Sequence, residues 1–288
     1  MSDDDAPKTG DLGRITSSSA DHVHTLNLFI YFIGEGRTSY SSLLLLFNMV
    51  IKNTLRWQPL NAVTKEMSSD RWSVLSPHIS LVDLHAGDVT SAPDQDFTHA
   101  LFPITAVLTL HGTLAEDRSL EAVLIGQEGM LGVWAFADTH TTPQRSVVQF
   151  AGSALQIDIE ILRSEFETSS ELRKLVFRYS NSMLDYAIQT AACYRRHDPH
   201  QQVARTLVMA ARRLQTDRIP LTHATLASLL GLRRETISVA MMRLAKNGVL
   251  KQNHGSIEIL KADELHALSC GCLGVFEDLY SRPLNPTR

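Results

Sequence analysis

The chain has 288 residues, of which 44% are hydrophobic and 20% are charged, and its formal net charge at pH 7 is −4. This length and composition are those of an ordinary soluble protein with two or three domains and an ample core. Three cysteines exclude a disulfide framework and predict a cytoplasmic protein, and no apolar run reaches the roughly 20 residues of a membrane-spanning helix.

The charge is divided unevenly along the chain. Residues 195–261 contain twelve basic and four acidic residues, a net charge of +8, whereas residues 1–194 contain 13 basic and 23 acidic residues, a net of −10. A basic domain joined to an acidic one is typical of a DNA-binding protein with a separate sensing or assembly half.

Residues 1–52 form a poorly defined N-terminal extension. The first 20 residues predict disorder, being rich in Asp, Ser and Gly without periodicity. Two apolar runs follow, Leu26 to Ile33 and Leu43 to Ile51, and they fit strands, a helical hairpin or an interfacial anchor equally well. A further hypothesis is that translation naturally begins at Met49.

For residues 53–160 the sequence predicts a β-domain. From Trp72 to about Ile159, short stretches of alternating hydrophobicity recur at roughly ten-residue spacing, separated by turn residues such as those at 86–88 and 126–129. This pattern indicates a small all-β sandwich or barrel.

For residues 161–197 the sequence predicts one long helix, since no Gly or Pro interrupts the segment before Pro199. A helix with a narrow apolar stripe needs a partner, which predicts dimerisation. The alternative is a core helix packed against the chain's own β-domain. The predicted dimerisation residues are Leu172, Leu175, Val176, Tyr179, Met183, Tyr186 and Thr190, and the stripe continues to Cys193.

Residues 198–280 predict a winged helix-turn-helix, followed by a tail at 281–288. After a helix from Gln201 to Gln215, Thr222 is a good N-cap for a short helix that Gly231 can end. A second helix opens with Arg233 and Arg234, where two cations oppose the helix dipole unless an anion binds there.

The wing follows the second helix. Two stretches of strand character, Val249 to Gln252 and Ser256 to Leu260, flank a turn at residues 253–255. The segment from Lys261 to Tyr280 predicts one more helix.

With the wing and the Arg234-Glu235-Thr236 sequence at the start of the second helix, the chain resembles the Crp/Fnr superfamily of bacterial transcription regulators. The resemblance covers about Asn53 to Tyr280. It implies an α+β fold, with an N-terminal β-roll (a jelly-roll-like sensor domain), a long dimerisation helix and a C-terminal winged helix-turn-helix. It also implies a homodimer on a palindromic DNA site.

The resemblance also implies an effector site in the β-roll. Gly132 falls at the start of the ligand loop, and Arg145 and Ser146 fall where family members hold a cyclic phosphate. Members that bind cyclic nucleotides have Glu after the glycine, whereas this chain has Val133, which cannot accept the ribose hydrogen bond. We therefore expect an effector other than a cyclic nucleotide, with Arg145 either binding a small anion or lying at the surface.

We expect no cofactor and no metal. Iron–sulfur sensing in the family needs cysteines near the N-terminus, and none precedes Cys193. A Cys270-Gly271-Cys272 segment would need two further ligands that the neighbouring sequence lacks. The histidines available as haem ligands in the β-region are more simply solvated or hydrogen-bonded: His78, His85, His99, His111 and His140.

The residues expected to contact DNA divide into two groups. Arg234 would contact a guanine edge, Glu235 a cytosine amine, and Thr236 and Ser238 phosphates or a thymine methyl. The predicted phosphate contacts are Thr222, His223, Arg233, His254 and Ser256. A second arginine common in the family one turn later is replaced here by Val239.

The predicted function is therefore sequence-specific transcription regulation. The expected partners are double-stranded DNA, a second copy of the chain, an unidentified small-molecule effector and, for an activator, RNA polymerase, with no membrane partner. No catalytic motif occurs, so no catalytic residue and no enzyme are expected. The alternatives are a regulatory module without DNA contact and an enzyme with an unrecognised site.

Overall fold

The computed structural model describes residues 60–113, 119–137 and 141–281, all of them within the compact unit Thr54–Arg288. The predictions for residues 1–52, for a start at Met49 and for His140 lie outside the described residues. No helix in the described ranges has the length and apolar character needed to cross a bilayer.

Two short helices precede the β-domain, α1 (Ala62–Lys65) and α2 (Ser69–Leu75), and a 3-10 turn follows at Ser76–His78. The buried Asn61 caps α1 and donates to the carbonyls of Pro103 at 2.8 Å and Gly129 at 2.9 Å, which ties α1 to the β-domain. Trp72, expected to begin the β-region, instead lies in α2, because Ser68 caps that helix.

Seven strands form the β-domain. They are β1 (Ser80–Leu84), β2 (Val89–Ser91), β3 (His99–Pro103), β4 (Val107–Thr113), β5 (Ser119–Ile125), β6 (Arg145–Phe150) and β7 (Gly152–Asp158). Two antiparallel sheets result, with strand orders β1-β7-β3 and β2-β6-β4-β5. The core includes Phe102, Leu108, Ile125, Phe150 and Leu155, all nearly inaccessible. The predicted β-roll is confirmed.

The helical segment after the roll has a break. Helix α3 (Ile159–Thr168) ends at Ser169, whose extended backbone and side chain then cap α4 (Ser170–Arg196). Helix α4 packs against β5 and α3. The seven residues predicted for dimerisation are all 8% exposed or less within a single chain. That prediction is therefore wrong, because these side chains already pack inside the chain.

The C-terminal domain begins with α5 (Pro199–Leu214), whose capping box joins Asp198 and Gln201. It continues with β8 (Arg218–Ile219), α6 (His223–Leu230), α7 (Arg234–Lys246), β9 (Leu250–Asn253) and β10 (Ser256–Ile259). Gly231 ends α6 with φ of 62°, as the sequence predicts. Strands β8, β10 and β9 form the wing sheet, with a turn at His254 and Gly255.

The segment from 261 to 280, predicted as one helix, is two: α8 (Ala262–Leu268) and α9 (Cys272–Ser281). Helix α8 stops at Ser269, whose hydroxyl donates to the His266 carbonyl at 2.6 Å. The backbone N–H of Leu273 then donates to the carbonyl of Cys270. This break determines where Cys270 and Cys272 lie.

The C-terminal domain contacts the β-roll of the same chain. Helix α6 packs against β5, and a side chain at Gly231 would collide with Leu120. Arg213 on α5 pairs with Glu128 at 3.0 Å, and both side chains are almost fully buried. Two such charges are expensive to desolvate unless they meet, so the pair helps to fix one arrangement of the two domains.

Candidate nucleic-acid interface

The start of α7 presents two arginines to solvent. Arg233 is the N-cap and Arg234 the first helical residue, and both are exposed. Within the described part of the chain, neither guanidinium forms a salt bridge. Two uncompensated cations beside the helix's own N–H groups form a surface suited to an anion.

Helix α7 has one buried and one outward face. The buried face contributes Ile237, Ala240, Met241 and Leu244 to the domain core. The outward face carries the exposed Glu235, with Val239 66% and Met242 65% exposed. Met242 is absent from the predicted site, although its position one turn after Ser238 could have revealed it. Large apolar side chains that remain exposed on a reading helix are suited to thymine methyl groups.

The residues that support α7 make hydrogen bonds within the domain. The Thr222 hydroxyl accepts from the Thr225 N–H at 3.1 Å and so caps α6, while the residue itself stays exposed. His223 bridges Ser238 Oγ at 3.1 Å and Gln252 Oε1 at 2.8 Å. His223 thus joins α6 to α7 and the wing, and Ser238 also donates to the Arg234 carbonyl.

The wing residues divide between surface and core. His254 is exposed at the turn, as predicted. Ser256 is only 8% exposed and its hydroxyl accepts from Arg218 Nε at 3.3 Å, so the prediction that it contacts phosphate at the surface is wrong. The exposed Lys251 on β9, which the sequence prediction missed, is the wing's available cation.

The three predicted effector residues, Gly132, Arg145 and Ser146, differ in their exposure and in their contacts. Gly132 is buried with φ of 111°, and Arg145 is exposed at the start of β6. Ser146 is fully buried and accepts a hydrogen bond from the Thr90 hydroxyl at 2.9 Å. Its hydroxyl is therefore already engaged within the β-sheet.

An apolar hollow of about 540 Å³ lies instead between the roll and α4. Among the described residues its lining contains no charged side chain, and it includes Val133, Trp134, Phe136, Phe177, Met183 and Leu184. None of Gly132, Arg145 and Ser146 lines it. The hollow offers apolar contact rather than a cation for a phosphate.

A buried carboxyl lies where β5 meets α4 and the C-terminal domain. Glu121 is 4% exposed, and burial raises its pKa to about 7 although the positive charges of Arg205 and Arg213 lower it. Both arginines belong to α5. The ionisation of Glu121, on the β-roll, therefore depends on two arginines of the C-terminal domain.

Comparisons with known proteins agree with this architecture. Residues 201–268 match the family model of the Crp-like helix-turn-helix domain. No curated protein matches the chain significantly.

Solved structures share the fold. A putative Crp/Fnr family transcriptional regulator from Eubacterium rectale ATCC 33656 has a TM-score of 0.61 at 16% identity, over 73% of this chain and 99% of that one. FixK2 from Bradyrhizobium japonicum has a TM-score of 0.57 at 16% identity, over 67% and 98%. A Crp/Fnr family transcriptional regulator from Thermus thermophilus has a TM-score of 0.54 at 18% identity, over 66% and 98%.

At these identities the structural likeness establishes only the fold. The family model identifies residues 201–268, in the C-terminal third, as a Crp-like helix-turn-helix domain. The β-roll, the long helix and the winged helix-turn-helix occur in the order expected of that superfamily. The chain therefore has the fold of the Crp/Fnr structures and contains a Crp-like helix-turn-helix domain at residues 201–268, which supports a role in DNA-binding transcription regulation.

Proposed function

We propose that this regulator binds a palindromic operator as a homodimer, with one α7 in the major groove of each half-site. The observation that carries the proposal is the exposed, uncompensated pair Arg233 and Arg234 at the start of a helix whose opposite face is buried. A helix of 13 residues held by α5, α6 and the wing is rigid enough to present these side chains in one geometry.

The residues of this surface have separate roles in the proposal. Arg234 donates two hydrogen bonds to a guanine edge, and Glu235 accepts from a cytosine amine. Val239 and Met242 contact thymine methyl groups. Arg233, Thr222 and the wing residue His254 contact phosphates, which provide affinity without sequence preference. Thr236, which is partly exposed, lies beside the same groove wall.

The dimer in this proposal uses the outward face of α4. Phe177, Leu184 and Ile188 are 59–60% exposed, and their spacing of seven and then four residues puts them on one stripe. The stripe borders the apolar hollow, which Phe177 and Leu184 also line. A second α4 packed along it by two-fold symmetry would cover both surfaces and place the two α7 helices on one side of the dimer.

The proposed effector is uncharged and largely apolar. Its support is the composition of the hollow, in which Val133 and Trp134 occupy the loop after Gly132 and the described lining residues include no cation for a cyclic phosphate. RNA polymerase is a further partner if the protein activates transcription.

Gel-shift and footprinting on genomic fragments test the function. We expect the full-length protein to retard particular fragments, and Arg234→Ala to weaken specific binding by about 1–3 kcal/mol while sparing non-specific binding. Arg233→Ala should weaken both. Lys65→Ala, which removes an exposed cation on α1, is the matched control and should weaken neither.

Equal loss on specific and random duplex for Arg234→Ala would contradict its base-reading role. No preference for any genomic fragment would instead favour a ligand-binding module that acts without DNA.

A further inference from the structure

Four side chains with metal-binding atoms meet where the long helix ends. Cys193 lies in the last turn of α4 and His197 is its C-cap residue, while Cys270 and Cys272 lie at the break between α8 and α9. Their three Sγ atoms and one imidazole nitrogen all lie within 4.8 Å of one another. The two segments are joined only through the fold, since Cys193 and Cys270 are 77 residues apart in sequence.

The spacing of these atoms matches a tetrahedral ion. The Sγ atoms of Cys193 and Cys270 are 3.5 Å apart, and Sγ of Cys272 is 3.6 Å from Nδ1 of His197. Zinc–sulfur and zinc–nitrogen bonds of about 2.3 and 2.0–2.1 Å require ligand atoms roughly 3.5–3.8 Å apart in a tetrahedron. Only small side-chain movements would bring all four ligands to an ion at the centre.

We propose that Cys193, His197, Cys270 and Cys272 form a mononuclear Cys₃His site for a thiophilic divalent cation of the zinc class. Three thiolates and one imidazole are a ligand set typical of structural zinc. An iron–sulfur cluster fits less well, because its cysteines bind different iron ions and some ligand atoms then stand farther apart than these do.

The surroundings hold the ligands and leave a route for the ion. Cys193 and Cys270 are buried, whereas His197 and Cys272 are partly exposed, so an ion can enter from the side of the latter pair. The side-chain amide of Gln189 donates to Sγ of Cys272 at 3.0 Å. Such a hydrogen bond orients a ligating thiolate and disperses its charge.

A buried cation balances the charge of the proposed site. Arg205 is 2% exposed, with its guanidinium 4.5 Å from the centre of the Phe276 ring and 5.5 Å from that of Tyr194. It forms no salt bridge with a described residue, and its Nε has no hydrogen-bond partner. Three thiolates around a divalent ion carry a net charge of −1, which the guanidinium behind Cys193 and Cys270 would offset.

The location gives the ion a structural consequence. Asp198 and Pro199 follow His197 directly and begin α5, the first helix of the DNA-binding domain. An ion bound here would fasten α9 to the end of α4 at the point where the chain enters that domain. Resting on the proposed DNA-binding function, we further expect metal loading to change operator affinity.

Metal binding itself is tested on the full-length protein with Zn²⁺ and Co²⁺. We expect one ion per chain by elemental analysis after Zn²⁺ loading under reducing conditions, and a rise in melting temperature with Zn²⁺. Co²⁺ should produce thiolate-to-cobalt charge-transfer absorption and the intense visible bands of tetrahedral coordination. Binding should release protons from the thiols.

Single variants locate the ion. Cys272→Ser and His197→Gln change the two partly exposed ligands and are the least disruptive to the core, and each should abolish or shift the Co²⁺ spectrum. His266→Gln, at an exposed histidine on α8 outside the cluster, should leave the spectrum and the stoichiometry unchanged.

A folded wild-type protein that binds no Co²⁺ through thiolates overturns the proposal, as does one in which oxidation simply joins Cys193 to Cys270. Operator binding is measured separately, with and without Zn²⁺. If Cys272→Ser loses metal binding but still recognises the operator, operator recognition does not require the metal. If the protein recognises no operator with or without Zn²⁺, the proposed DNA-binding function is contradicted and the proposed metal site is not.

Discussion

Helices α4 and α7 both have an apolar stripe, but the two helices use their opposite faces differently. In α7 one face is buried and the other carries Arg234, Glu235 and Val239. Helix α4 has apolar side chains on both faces: the broader apolar face packs inside the chain, and a narrower stripe of Phe177, Leu184 and Ile188 is exposed. The difference teaches that periodicity identifies a buried face without identifying what covers it.

The largest expected effect follows from the outward face of α4. Leu184→Asp removes a leucine from each half of the proposed dimer, and burial of one leucine is worth roughly 1.5–3 kcal/mol. Dimerisation should weaken by about 3–6 kcal/mol, measured by analytical ultracentrifugation across a dilution series. Val74→Asp, an equally apolar but remote exposed position on α2, should leave the dimer intact. An unchanged dimer in Leu184→Asp would show that another surface associates.

The inward face of α4 should respond through folding instead. The side chain of Leu175 is only 3% exposed, so Leu175→Ala leaves a buried cavity, and the free energy of unfolding should fall by about 2–5 kcal/mol. Urea denaturation of the wild type and variant measures the loss. Leu260→Ala, at a half-exposed leucine, should cost far less, and equal losses at both positions would mean that the burial of α4 has been misassigned.

The contact between α4 and β5 should depend on pH through Glu121, whose charge also acts on Tyr186 of α4. Burial raises the pKa of Glu121 from an ordinary 4.5 to about 7, so the folded state binds more protons than the unfolded state between these values. Stability should therefore fall as pH rises through this window. Glu121→Gln should remove the fall, making the variant more stable than wild type at pH 8 by on the order of 1–3 kcal/mol.

Melting temperatures of both proteins from about pH 4 to pH 8 make this measurement. The two curves should converge at the acidic end, where the wild-type carboxyl is neutral. Parallel curves would mean that the pKa of Glu121 is the same in the folded and unfolded states.

The smallest expected effect concerns the outward face of α7. Val239→Ala removes two methyl groups from a side chain that we propose contacts a thymine methyl, and operator affinity should fall by about 1 kcal/mol. Replacing the contacted thymine with uracil should cause a similar loss in the wild type and little further loss in the variant. If the losses of operator affinity from Val239→Ala and from the uracil substitution are fully additive, Val239 does not contact that thymine.

Much of the DNA-binding domain was predictable because its signals are local. Thr222 caps α6, Gly231 ends it, and Gly255 makes the wing turn, each through backbone geometry set within a few residues. The division into an acidic and a basic half, and the alternating hydrophobicity of the β-region, were equally predictable from the sequence. Ser256 was assigned wrongly because the period of a strand does not reveal that Arg218, from another strand, occupies its hydroxyl.

The sequence by itself determined the order of the β-roll, the long helix and the winged helix-turn-helix, and it identified the reading helix, since hydrogen-bonding caps and apolar periods act over short distances. Tertiary structure alone decided which apolar face of α4 was covered by the roll, and it alone brought Cys193 and His197 to Cys270 and Cys272. The reason is physical: burial and coordination depend on residues far apart in the chain, and one break after Leu268 sets where the last two cysteines lie.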